Sequence, residues 1–205
     1  MLINKYTIIQ CQRVILVPYK KEHVLKYHEW MKSESLQQLT ASEPLTLEEE
    51  YEMQKSWLRD ENKLTFIILD KAKYEETQNE IDSMIGDTNL FFANADDRIC
   101  AEAEIMIAEE WARKRKCGWE ATLLMFMYGI DYLGVKQYIV KISYQNDISI
   151  KMFNDMGFVE VGRSDVFQEV TLSKLVDDMW IEWIKQSLGH FKVIDKNIEK
   201  ENKVV

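Results

Sequence analysis

Short apolar runs alternate with amphipathic stretches along the whole chain, and no long polar interval divides it. Residues 13–19 (RVILVPY) are rich in β-branched side chains and end near Pro18, which predicts an edge strand because proline cannot donate to a ladder. Val24, Tyr27, His28 and Met31 then recur at helical spacing and predict a first helix. A second helix has a legible start: Thr46 caps it, Glu49 stands in capping-box register and Pro44 lies just outside. Residues 65–69 (TFIIL), 85–92 and 100–108 read as three more strands, with the polar stretch 70–83 as a hairpin loop. A charged turn over 109–117 leads into an apolar helix over 118–133. A strand over 138–143 follows, then a short helix over 149–156 closed by Gly157. Strands over 158–163 and 167–175 and a helix over 178–187 complete the pattern. The order is that of a single α/β domain, residues 1–190, with 191–205 as a flexible C-terminal tail.

Composition narrows the class. A chain of 205 residues that is 46% hydrophobic buries a proper core in one domain. A formal net charge of −9 argues against broad nucleic-acid binding and against long-range attraction to an acidic partner, so any basic site is local. Cys11, Cys100 and Cys117 are odd in number with no CxxC spacing, which points to a reducing compartment without a disulfide framework. His23, His28 and His190 are scattered, so no metal site is expected. The first residues build no signal-peptide core, and no run approaches the roughly 18 apolar residues of a membrane span. The expectation is a cytoplasmic protein that binds neither membrane nor nucleic acid.

The segment that carries chemistry joins a strand to a helix. Met106-Ile107-Ala108 ends the strand, a short turn follows, and Arg113-Lys114-Arg115-Lys116-Cys117-Gly118 precedes the apolar helix. Free N–H groups and the positive end of the helix dipole meet there, and the consecutive cations add to the bias toward a polyanion such as a pyrophosphate. Outside that position, the same four cations would read as a solvated patch.

Arg113 and Gly118 stand in the outer positions of a pattern that resembles the coenzyme A-binding motif of the GCN5-related N-acetyltransferases, [Arg/Gln]-x-x-Gly-x-[Gly/Ala]. Asn146, Ser149 and the Gly157-Phe158 pair resemble the second motif of that family. The blocks 27–34 and 39–46, and 166–172 (VFQEVTL), resemble its N-acetyltransferase 9-like branch, described as α/β-tubulin N-terminal acetyltransferases. The resemblance implies a single-domain mixed sheet, mostly antiparallel, with flanking helices and with strands four (100–108) and five (138–143) splayed around the cofactor. It implies acetyl-CoA as co-substrate and no metal. Met106, Ile107 and Ala108 would bond the pantetheine, the loop Arg113, Lys114, Arg115, Lys116, Cys117 and Gly118 would hold the phosphates, and Asn146 and Ser149 would approach from the other side. The implied acceptor is an amino group of a protein, tubulin N-termini being the suggested case.

One departure stands out. Lys116, and by comparison with close relatives Lys114, occupy positions where the family has glycine, and lysine ordinarily takes a helical or β backbone. This leaves a second reading open, a weakly active or non-catalytic binding protein on the same scaffold with a degenerate loop. For catalysis, Glu102 and Glu104 alternate with Ala103 and Ile105 and so share one strand face. Either is a candidate general base, and the residues do not choose between them; the plainer reading makes both the solvent side of the strand. Tyr144 is a candidate proton donor to the leaving thiolate.

Overall fold

A computed structural model describes residues 2–94 and 96–195. Among them a nine-stranded sheet runs in the order β7-β8-β6-β5-β4-β3-β2-β1-β9. The strands are β1 Thr7–Gln10, β2 Val14–Pro18, β3 Lys63–Asp70, β4 Met84–Phe91, β5 Cys100–Ile107, β6 Gln137–Ser143, β7 Val159–Ser164, β8 Glu169–Leu175 and β9 Lys192–Asp195. Every pairing is antiparallel except β5 with β6.

Both faces are covered. On one, the apolar helix α6 (Cys117–Leu133) lies over Leu64, Phe66, Ala101 and Ala103, flanked by α7 (Asp147–Asp155) and α8 (Asp178–Leu188). On the other, α1 (Val24–Met31), α2 (Glu34–Thr40) and α3 (Leu47–Arg59) pack Tyr27, Trp30, Met31 and Leu36 against Ile67, Leu69, Met84 and Met106. Alternation along β5 makes it the hinge of both layers: Ala103 and Ile105 face α6, while Met106 faces α1. The predicted capping box is present, since Glu49 N donates to the Thr46 hydroxyl and Thr46 N to the Glu49 carboxylate. Gly157 has φ +87°, as expected of a residue that ends a helix.

Four expectations are corrected. Residues 70–83 are not a loop; they form α4 (Lys71–Thr77) and α5 (Glu80–Ser83), capped by the side chains of Asp70 and Asn79. The 13–19 strand is not an edge, because β2 lies between β1 and β3, and Pro18 sits at its end, beyond the β1 pairing. Helix α2 was not foreseen. Part of the expected tail, Lys192–Asp195, pairs with β1 as β9, whereas 196–205 lies outside the described residues.

Candidate active site

The sheet opens at one place. β5 and β6 pair in parallel only over Cys100↔Gln137, Ala101↔Tyr138 and Glu102↔Ile139, and beyond Glu102 the ladder stops. The strands expected to splay are these two. From there β5 continues with β4 and β6 with β8, so the two halves of the sheet diverge.

A cleft of about 290 Å³ fills the divergence. Its sheet side is formed by Glu102 to Met106 of β5, Val140 to Ser143 of β6, and Asp87 and Asn89 of β4. Asn146, Ser149 and Phe153 bound it on the α7 side, and Tyr27, residues 38–42, Trp57 and Lys63 on the other. Asn146 caps α7, accepting from Ser149 N at 3.1 Å.

The two glutamates differ in setting. Glu102 is held in a 2.7 Å ion pair with Lys141 across the parting strands. Glu104 is half exposed, and Lys63 lies 3.6 Å from its carboxylate. Tyr144 is not among the side chains lining the cleft. Its hydroxyl meets Asp165 at 3.2 Å, in a separate depression beside Arg163.

At the end of β5 the chain turns sharply and is pinned. The Arg113 guanidinium donates to the carbonyls of Ile107 (2.9 Å) and Ala108 (3.1 Å), so it shapes the turn from within. Glu109 accepts from Trp30 Nε1 at 2.9 Å and Trp111 Nε1 at 3.1 Å, which ties the turn to α1. Arg115 reaches Asp70 at 3.3 Å. Lys114 and Lys116 both take left-handed backbone, φ +60° and +61°, and this corrects the expectation of helical or β backbone at those positions. Their side chains are exposed. Residues alternating in handedness turn successive N–H groups into one concavity that suits an anion. The backbone therefore keeps the shape a glycine would permit, at the strain cost of two L-residues there.

Glu120 N makes the first helical bond of α6, to Lys116 O at 3.0 Å, leaving the N–H groups of Cys117, Gly118 and Trp119 ahead of it. Gly118 packs closely on β5, and a Cβ there would lie 3.3 Å from Ile107 Cγ1, so the Ile107 side chain would have to give by a few tenths of an ångström. Cys117 is buried, and burial raises its thiol, so it is no thiolate ligand. Among the described residues no helix is long and apolar enough to cross a membrane.

Sequence reasoning missed Asp87, Asn89, Tyr27 and Lys63. One signal was present: in the run GDTNL, Asp87 and Asn89 stand two apart in a strand that otherwise reads as core, which puts two polar groups on one buried face.

A mixed sheet parted between two parallel strands, with an anion-shaped loop following the end of the first, is the architecture of an acyl-transferring domain of the GNAT class. A family model described as an acetyltransferase (GNAT) domain matches residues 13–159. An N-acetyltransferase 9-like protein of Nematostella vectensis is 52% identical over 173 residues, 84% of this chain and 87% of that one. The α/β-tubulin-N-acetyltransferase 9 of Drosophila melanogaster is 50% identical over 190 residues, 91% of this chain and 95% of the other. Among solved structures, a spermidine N-acetyltransferase from Vibrio cholerae in complex with CoA and spermine superposes with a TM-score of 0.65 at 20% identity, over 80% of this chain and 95% of that one. The chain belongs to the GNAT acetyltransferases, in their N-acetyltransferase 9 branch, and is an N-acetyltransferase. The reading as a non-catalytic scaffold is not favoured.

Proposed function

We propose that the chain moves an acetyl group from acetyl-CoA to the N-terminal amine of a protein in the cytoplasm, with tubulin as the acceptor. The parting of β5 from β6 beside a cleft lined with carboxylates is the observation that carries this reading. Tubulin enters through the names of the relatives that are about half identical to this chain.

In this reading the donor lies in the parting. Backbone groups of Met106, Ile107 and Ala108 bond its pantetheine arm. The left-handed loop at Lys114 and Lys116, with Arg115, Cys117 and Gly118, holds the pyrophosphate, and Arg113 keeps that loop in shape. Asn146 and Ser149 approach from the β6 side. The acceptor enters between residues 38–42 and Trp57, where an extended N-terminus can reach the sheet. An α-amine has a pKa of about 8, so only modest help is needed to deprotonate it near neutral pH. Glu102 and Glu104 draw the ammonium in. Glu104, the less committed of the two, passes the proton to solvent, since Glu102 is held by Lys141. With its hydroxyl on Asp165, Tyr144 reaches the leaving thiolate only after a side-chain rotation.

Calorimetric titration with acetyl-CoA tests the donor half directly. Saturable binding is expected, weakened by a bulky substitution in the parting such as Ile142→Trp. The absence of heat at millimolar donor would contradict the reading.

A further inference from the structure

Resting on acetyl transfer to an amine as the reaction, we propose that Asp87 is the group that first accepts the proton of the substrate ammonium. Asp87 sits on β4, directly across the ladder from Met106 of β5, and so beside the stretch that borders the parting. It is 2% exposed and yet lines the cleft. One oxygen is held: Oδ2 accepts from Asn89 Nδ2 at 2.8 Å, and Asn89 is fixed in turn because its Oδ1 accepts from the Thr65 hydroxyl at 2.6 Å. The other oxygen, Oδ1, is buried and has no hydrogen-bond partner among the described residues. An orphaned buried carboxylate oxygen is costly, and a fold tolerates it where a donor arrives from outside. A substrate N–H is such a donor.

The surroundings favour exchange. Lys63 from β3 and Glu104 from β5 act on Asp87 with opposite sign, and Tyr19 at the end of β2 and Tyr27 of α1 feel its charge, with Glu50 of α3 beyond them. Burial raises the Asp87 carboxyl to about 7, against the lowering hydrogen bond from Asn89 and the charge of Lys63. A proton acceptor works best when poised near the working pH. Glu102 has its lysine partner and Glu104 is open to solvent, so Asp87 is the carboxylate best shielded for the transfer.

The step balances. An N–H bond of the ammonium breaks and an O–H bond forms on Asp87 Oδ1, which frees the nitrogen lone pair. That pair attacks the thioester carbonyl carbon, the C–N bond forms and the C–S bond breaks. The second proton shed by nitrogen ends on the departing sulfur. Asp87 returns its own proton to solvent past Glu104, so one proton is released per turnover.

The test is the pH profile of kcat/KM for the wild type and for Asp87→Asn, which keeps the shape and removes the acceptor. The wild type should rise with pH through an inflection near 7, because the carboxylate must be ionised to take the proton. Asp87→Asn should lose at least tenfold in kcat/KM together with that inflection, while acetyl-CoA still shifts its melting temperature as it does for the wild type. Glu104→Gln should fall less and keep the inflection. A variant Asp87→Asn within about twofold of an active wild type overturns the proposal alone; a wild type that acetylates no amine overturns the reading beneath it as well. Should Asp87→Asn fail to fold, the wild-type profile decides. An inflection that stays in place when the acceptor is exchanged for an amine of lower pKa supports Asp87, and one that follows the amine excludes it.

Discussion

Lys114 and Lys116 show how a loop takes a left-handed backbone without glycine. Both adopt φ near +60°, where a Cβ crowds the following carbonyl, and both leave their side chains in solvent. The cost of such a backbone is about 1–2 kcal/mol per L-residue. Glycine removes that cost but loses about 0.5–1 kcal/mol in chain entropy. Lys116→Gly is therefore expected to raise stability by up to about 1.5 kcal/mol in a urea melt and to leave acetyl-CoA affinity unchanged. A loss of affinity would mean that the ammonium, and not the backbone, carries the phosphate contact. The motif from Arg113 to Gly118 was legible in the sequence as residue types, but the handedness at the two lysines was not. Residue identity gives a preference for φ, and here the surrounding turn, pinned by Arg113 on the Ile107 and Ala108 carbonyls, overrides it.

Between elements, one carboxylate does structural work that the motif does not reveal. Glu120, in the first turn of α6, is buried and accepts from Arg13 N at 2.7 Å and Val14 N at 3.0 Å, with the Arg13 guanidinium at 3.0 Å. It fastens the start of the helix that follows the 113–116 loop to the start of β2, across the core. Glu120→Ala leaves two backbone donors without their acceptor, and at about 1–3 kcal/mol for each buried orphan a loss of about 2–6 kcal/mol is expected by chemical denaturation. A loss under about 0.5 kcal/mol, the range of ordinary surface substitutions, would show that water replaces the carboxylate freely. Elements with a clear period or a cap were legible: α3 from its capping box, α6 from its apolar run, β5 from its alternation. Helix α4 was missed because it buries no residue and so leaves no apolar period to read. Strands β1 and β9 span four residues each, too short for a pattern, and form through pairing with each other and with β2.

For the molecule as a whole, a net charge of −9 surrounds a local basic loop, so under the proposed function the donor is drawn by nearby cations and an acidic acceptor gains nothing from long-range steering. Under the proposed function, recognition of the acceptor rests on the short-range fit of an N-terminus between residues 38–42 and Trp57, over the carboxylates of β4 and β5. The sheet and its parting followed from the sequence once the loop motif was recognised. The floor of the cleft did not, because Asp87, Asn89 and Thr65 meet only after β3 and β4 pair in register. The central claim is transfer to an α-amine, and product regiochemistry tests it most directly. The purified chain would be incubated with acetyl-CoA and a tubulin N-terminal peptide that also carries a lysine, and the product fragmented by mass spectrometry. A single acetyl group on the N-terminal nitrogen is the predicted result; acetyl on the lysine alone, or an unmodified peptide beside a chain that binds acetyl-CoA, would contradict it.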